Sequence, residues 1–327
     1  SAAAGQCGYC IPGIALHAHS YLAHHPSPSR AELAKGLDMH LCRCGGYSRI
    51  LSAIEALAKA RRKEEPLVAL RVREAPTKAV GGSYNRLDAA ALILGERPFS
   101  GDLRREGMLH ATLVHSEYAR AKVLRIDTTA AAAMPGVVAI VTAKDVPGER
   151  WQGLIERDWP LYVAEGEEAR CAGDVIAAVA AVDEKTARDA ANAIEIEYEV
   201  LDPVLSPEEA LAEGAPRVNP KHANLLGHSV ITRGDAKAAI AGAAHVGRGT
   251  FQTQRIEHLF LETECALAEP RGRGVAVFTQ GQGVFDDRRQ IASILNLPEE
   301  EVLVTLLPAG GAFGGKEDLL VQGHAAL

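Results

Sequence analysis

Two hydrophobic periods divide this chain. Up to about Arg62 the apolar positions recur at helical spacing, whereas from Leu109 to Val200 they come as short β-branched runs broken by turns. Leu51, Ile54, Leu57 and Ala58 stand at i, i+3, i+6 and i+7, which predicts a helix from Tyr47 to about Arg62. A facing helix is expected from Ile11 to His25, stopped by Pro26. Ser29, followed three residues later by Glu32, reads as a capping box for a short third helix, so 1–65 should form a small helical domain. Between Arg61 and Val80 the sequence is charged, holds Pro66 and Pro76 and shows no period; a linker is expected, extended here over 66–106.

Beyond it, Leu109–Val114, Lys122–Ile126 and Val137–Thr142 read as strands, with a turn at Met134-Pro135-Gly136. The unbroken run Val175–Val182 reads as a buried strand and Asp183 as the cap of a helix reaching about Ala193. Ile194–Val200 then alternates, with Glu195, Glu197 and Glu199 on its wet face. This predicts an α+β domain over 107–207. A further domain, 208–327, should hold an amphipathic helix at Asp286–Leu295 and a strand at Val302–Leu306.

Composition narrows the class. With 327 residues, 47% hydrophobic and 24% charged, the chain suits a globular protein of about two or three domains. Its longest apolar stretch, Val175–Val182, is far short of the roughly 20 residues that cross a bilayer. A net charge of −7, from 42 acidic and 35 basic residues, offers no basic stripe for nucleic acid. No cleavable apolar leader is seen, and we expect a cytoplasmic protein acting on small molecules, with no membrane or nucleic-acid partner.

Of the six cysteines, four crowd the start as Cys7-x2-Cys10 and Cys42-x-Cys44. Disulfides are one reading of such spacing. Two close pairs joined by a segment that folds back also give a four-thiolate metal site. Zinc normally takes two Cys-x2-Cys pairs or a histidine; the tight Cys42-Arg43-Cys44 pair suits an iron-sulfur cluster better. His17, His19, His24 and His25 do not share one helical face and read as surface or core residues.

In the last third, Pro308-Ala309-Gly310-Gly311-Ala312-Phe313-Gly314-Gly315-Lys316-Glu317 strips side chains from around one aromatic, so a ligand can approach the backbone. A phosphate loop does not fit, because Lys316 is followed by Glu317 rather than Ser or Thr. Gly281-Gln282-Gly283 lacks the third glycine of a dinucleotide fingerprint, and a structural turn remains the alternative for the glycine cluster. Glu257-His258, on an expected strand, would point to opposite faces and serve no common metal. His115 and Glu117, beside Arg120, read as solvated or structural.

Gln6-Cys7-Gly8-Tyr9-Cys10-Ile11-Pro12-Gly13 with Leu41-Cys42-Arg43-Cys44-Gly45-Gly46-Tyr47 resembles the helical [2Fe-2S] domain of the molybdenum hydroxylases, the xanthine dehydrogenase and aldehyde oxidoreductase family. Val114-His115-Ser116-Glu117-Tyr118-Ala119-Arg120 and Met134-Pro135-Gly136-Val137 are similar to its α/β hammerhead domain. Thr279-Gln280 with the glycine-phenylalanine segment resembles the start of its α+β molybdopterin-binding domain.

The resemblance implies Cys7, Cys10, Cys42 and Cys44 as cluster ligands and Gln6, Gln280, Gly311, Ala312, Phe313 and Gly314 as contacts of a molybdenum-molybdopterin cofactor, in its plain or cytosine dinucleotide form. Glu317 would bind a purine ring and stabilise the charge developing on it, the alternative being a carboxylate at the start of a helix over Asp318–Ala326. The implied enzyme is a molybdopterin-dependent oxidoreductase. It would hydroxylate a purine or related N-heterocycle with water as oxygen donor, electrons leaving through [2Fe-2S] clusters. An aldehyde oxidoreductase, a [2Fe-2S] electron-transfer module without molybdenum and a zinc-stabilised scaffold remain the rivals. The family pattern further leads us to expect a second [2Fe-2S] cluster, the rest of the molybdenum domain with its base, and possibly FAD on other segments or partner subunits.

Overall fold

The computed structural model describes residues 4–64, 66, 80 and 86–327. The chain forms two compact units, one from Ser1–Ala111, Asp145–Leu161 and His258–Leu327, the other from Thr112–Lys144 and Tyr162–Glu257.

The first unit opens with helices Ile11–His24, Arg30–Gly36 and Tyr47–Arg61. Ser29 caps the second as its sequence predicts: its hydroxyl accepts from the Glu32 N–H, and its own N–H donates to Glu32 Oε2 at 2.7 Å. Ile14, Ala18 and Leu22 meet Leu33, Leu37, Ile50, Ile54 and Ala58 in one apolar core. The buried stripe of the third helix thus runs i, i+4, i+8 from Ile50, with Leu51 and Leu57 on its flanks. The histidines stay apart from the cysteines: His17 Nδ1 lies 2.8 Å from His40 Nε2, and Arg61 donates to His19.

Residues 67–79 and 81–85 of the expected linker fall outside the described residues, and its end is not a linker. Ala89–Leu94 is a helix and Ser100–Asp102 a 3-10 turn. The helix buries Leu92, 1% exposed, with its Cβ beside Gly8 of the cysteine turn. Its six residues are too few to show a helical period; burial holds it.

The same unit contains a sheet in the order Val302–Leu306, Gly274–Thr279, Ala266–Arg271, the first pair parallel and the second antiparallel. Helix Val284–Leu295 covers it through Ile291, Ala292 and Leu295. Thr279 pairs with Leu306 on one side and with Ala266 on the other. The segments 258–265, 280–283 and 307–317 therefore all leave this sheet at one end.

The second unit is β-rich. Val175–Ala181 is buried along most of its length, as its unbroken apolar run requires, between His110–His115 and Val137–Thr142. Helix Glu184–Asn192, capped by Asp183, lays Ala187, Ala190 and Ala191 on it, small enough for close approach. A second sheet pairs Ala121–Asp127 with Glu168–Ala169 and Glu195–Val200, whose three glutamates face solvent. The strands on either side of Met134-Pro135-Gly136 therefore belong to different sheets. His115 Nδ1 lies 3.1 Å from the Gly173 carbonyl, and Arg120 pairs with Glu168.

Two further expectations fail. Residues 255–258 form no strand; between Val200 and Ala266 the described secondary structure consists of the short helices Pro207–Leu211 and Ala236–Ala241. The terminal helix covers only Gln322–Ala326, because Asp318 Oδ1 accepts from the Leu154 N–H, and Gln322 Oε1, not a carboxylate upstream, takes the Leu320 N–H. Glu317 thus follows the turn at 313–316 and starts no helix. No described helix is long and apolar enough to cross a membrane.

Candidate functional site

The four early cysteines lie where two turns open the facing helices at Ile11 and Tyr47. They meet in crossed pairs, Cys7 beside Cys44 and Cys10 beside Cys42. All four are free thiols. Burial pushes Cys7 up to about 11 and Cys10 to about 12, and the neighbouring sulfurs push the same way. Ionising such a set is unfavourable unless a cationic group compensates it, which fits an iron-sulfur cluster. Among the described residues no three His, Cys, Asp or Glu side chains converge as ligands of a single metal ion. Around the four thiols the Cys42 N–H donates to the Tyr47 hydroxyl at 2.7 Å and the Gly46 N–H points at Cys42 Sγ. Gln6 is exposed and donates through Nε2 to the Cys44 carbonyl at 2.8 Å.

The glycine segment meets this turn. Gly310 has no room for a side chain, since a Cβ there would stand 2.7 Å from the Tyr9 ring and 2.4 Å from Glu262 Cβ. Glu262 clasps it from the other side: the Gly310 N–H donates to Glu262 Oε2 at 2.5 Å, and the Glu262 N–H donates to the Gly310 carbonyl. Burial pushes the Glu262 carboxyl up, opposed by the Gly310 N–H and by Lys316, and its Oε1 has no partner among the described residues.

Phe313 is half-exposed and holds a left-handed backbone, φ 56°, a strained state for a residue with a Cβ. The Arg43 guanidinium, between Cys42 and Cys44, lies 6.0 Å from its ring centre while Arg43 Nε donates to the His258 carbonyl at 2.7 Å. Gly314, at φ 90°, donates its N–H to Gln282 Oε1, which also takes the Lys316 N–H. Gly311 is buried beside Phe260 and Phe313, and the Ala312 carbonyl accepts from the Gly315 N–H. Gln280 is buried; its Nε2 donates to the Thr263 carbonyl at 2.6 Å and its Oε1 accepts from the Lys316 ammonium. Glu317 is exposed, and its carboxylate has no hydrogen bond or ion pair among the described residues.

The structure therefore brings together the cysteine turns, Gln280 and the segment from Gly310 to Lys316, and leaves Gln6 and Glu317 on the rim. Sequence reasoning missed Tyr9, Arg43, His258, Glu262 and buried Lys316. Glu262, an acid beside Phe260 and Leu261, carried a readable signal; His258 did not.

Comparison with known proteins agrees with this layout. Residues 1–55 match the family described as [2Fe-2S] binding domain, 94–202 that described as aldehyde oxidase and xanthine dehydrogenase, a/b hammerhead domain, and 218–327 the molybdopterin cofactor-binding domain. The chain is 35% identical over 74% of its length to a probable xanthine dehydrogenase subunit of Bacillus subtilis, covering 32% of that protein. It is 30% identical over 95% of its length to the aldehyde oxidoreductase of Megalodesulfovibrio gigas, covering 36% of it. The crystal structure of the aldehyde oxidoreductase from Desulfovibrio desulfuricans superposes with a TM-score of 0.88 over 99% of this chain and 38% of that one, at 27% identity. The chain spans about a third of the length of these relatives. Three matched domains in this order, with the cysteine turn seated on the glycine segment, place the chain in the molybdenum hydroxylase family.

Proposed function

We propose that this chain is the part of a molybdopterin-dependent oxidoreductase that joins a [2Fe-2S] cluster to the molybdenum site, in an enzyme hydroxylating a purine or related N-heterocycle with water as oxygen donor. The contact of Tyr9 with Gly310 carries this reading, because it sets a four-thiol turn directly against a loop stripped of side chains.

Cys7, Cys10, Cys42 and Cys44 would hold the cluster. Gln6, Gln280 and the Gly311–Gly314 backbone would hold the molybdenum cofactor. Their chemistry suits an oxygen-rich, anionic group: a buried amide with an N–H to spare, and backbone that a ligand can reach. The cofactor, when bound, supplies the activated oxygen and accepts the electrons. The chain's own residues orient and polarise. Phe313 offers a ring face to a planar substrate, and Glu317, exposed and unpartnered, would hydrogen-bond the heterocycle and favour the charge distribution of its transition state. The remaining machinery would come from further segments or subunits carrying the second cluster, the rest of the molybdenum domain and possibly FAD. A cytoplasmic setting, where thiols are kept reduced, would suit cysteines that hold a cluster.

Metal analysis of the intact enzyme with visible absorption tests this. Iron and molybdenum with a brown chromophore are expected; iron without molybdenum would leave only an electron-transfer module, and zinc in a colourless protein would refute both. A second reading, oxidation of an aldehyde, is favoured by the match to the M. gigas aldehyde oxidoreductase across 95% of the chain, cluster domain included. Turnover of xanthine, hypoxanthine, nicotinate and an aromatic aldehyde separates the two.

A further inference from the structure

Lys316 is a cation where a cation is expensive. Its side chain is 2% exposed although its neighbour Glu317 is in solvent. A lysine ammonium can only donate, and it needs partners when water is withdrawn. Lys316 finds the Glu262 carbonyl at 2.7 Å, the Gln280 Oε1, and the face of Phe260, whose ring centre lies 4.3 Å away. Burial opposes its charge, while Glu262, Glu264, Cys7 and Cys265 favour it. An apolar side chain of similar length would fill this space without the desolvation cost, so packing alone does not account for the ammonium.

Its partner does. An amide side chain can ordinarily flip, because its oxygen and nitrogen have the same shape. Here Gln280 stands between a group that only donates, Lys316, and one that only accepts, the Thr263 carbonyl. One orientation satisfies both. It fixes Nε2 on the Thr263 side with its second N–H unused among the described residues.

We propose that Lys316 is a positioning residue that locks the amide of Gln280 so that one N–H remains for a bound ligand, while its ammonium is held on Glu262, the residue that clasps Gly310 against Tyr9 of the cysteine turn. The inference rests on the reading of this region as a molybdenum site beside a [2Fe-2S] cluster. It would join the two centres through one side chain: the hydrogen bond acts on Gln280, and the charge, placed on the Glu262 carbonyl behind the Gly310–Tyr9 contact, would favour the reduced, more negative state of a cluster in the neighbouring turn.

The test uses the intact holoenzyme with Lys316→Met and Lys316→Gln, each alone and combined with Gln280→Ala. Iron and molybdenum content, steady-state kinetics, and the cluster midpoint potential from an EPR-monitored redox titration are measured. Lys316→Met is expected to keep its metals, lose kcat about tenfold or more with KM within about twofold, and shift the cluster potential negative. In the Gln280→Ala background the same substitution should cost less than about twofold, since its target is gone. Lys316→Gln, a neutral donor, should recover part of kcat and none of the potential, which a purely packing role would not produce. Wild-type kcat and potential in Lys316→Met, or equal losses with and without Gln280, would overturn the proposal. Should Lys316→Met lose its metals, the cycle run with Lys316→Gln decides by the same coupling. A wild-type holoenzyme devoid of molybdenum would instead sink the underlying reading, so the two failures are distinguishable.

Discussion

The ring of Tyr9 occupies the space that a side chain on Gly310 would need. One residue belongs to the turn between Cys7 and Cys10, the other to the loop after strand Val302–Leu306. Their contact exists because position 310 has no Cβ, and Glu262 holds the loop in place from behind through both backbone groups of Gly310.

Gly310→Ala is therefore expected to destabilise the protein by about 1–3 kcal/mol, the usual cost of forcing a methyl into a filled space. Thermal unfolding measures it. In a Tyr9→Ala background the same substitution should cost less; an equal cost in both would place the collision on Glu262 alone.

Asp287 gives the chain a pH dependence. It is buried in helix Val284–Leu295 and its Oδ2 has no partner among the described residues. Burial pushes its carboxyl up to about 7, with Asp286 adding to the rise. Free aspartate ionises near roughly 3.9, so between about pH 4 and 7 the folded state keeps a proton that the unfolded chain has lost. Stability from this group is complete below about pH 4, falls as the pH climbs to about 7, and is level above. Asp287→Asn should flatten that part of the profile and raise Tm at pH 8 relative to wild type. A Tm profile between pH 5 and 8 with the wild-type slope would count against it.

Cys42 is the most buried of the four thiols and packs in the helical core. Cys42→Ser should remove the cluster chromophore and about two irons per chain while leaving molybdenum bound and reoxidation of the enzyme abolished. A full cluster spectrum in that variant would reject the ligand set.

Glu317 carries no structural bond, so Glu317→Gln should leave Tm almost unchanged. Purine turnover should fall by roughly a hundredfold, in the range seen when one charge-stabilising group is removed. Aldehyde turnover should fall far less; equal loss on both substrates would strip Glu317 of its role.

Much of this was legible in the sequence where a local rule acts alone. The Ser29 capping box, the Asp183 cap and the wet glutamates of Glu195–Val200 each follow from a few adjacent residues. What failed depended on distant partners. The helix Ala89–Leu94 exists through Leu92 lying over the Gly8 turn, and the terminal helix starts late because Leu154 claims Asp318. In the site the motif glycines marked the loop, but Lys316 entered the sequence reading only in setting a phosphate loop aside, because its partners Gln280 and Glu262 are distant in the chain.

The packing of Leu92 on the cysteine turn, with Arg86 donating to the Gln6 carbonyl at 2.6 Å, has a topological consequence. The helical cysteine domain is attached to the residues after Arg86 twice, once by the backbone and once by contact. A protease site engineered between Glu64 and Arg86 should therefore nick the chain without releasing the cluster domain, and the two pieces should elute together on gel filtration until Leu92→Asp is introduced. Covalent continuity is then dispensable for holding the cluster domain, which makes this junction one at which a single polypeptide and two separate subunits are structurally interchangeable.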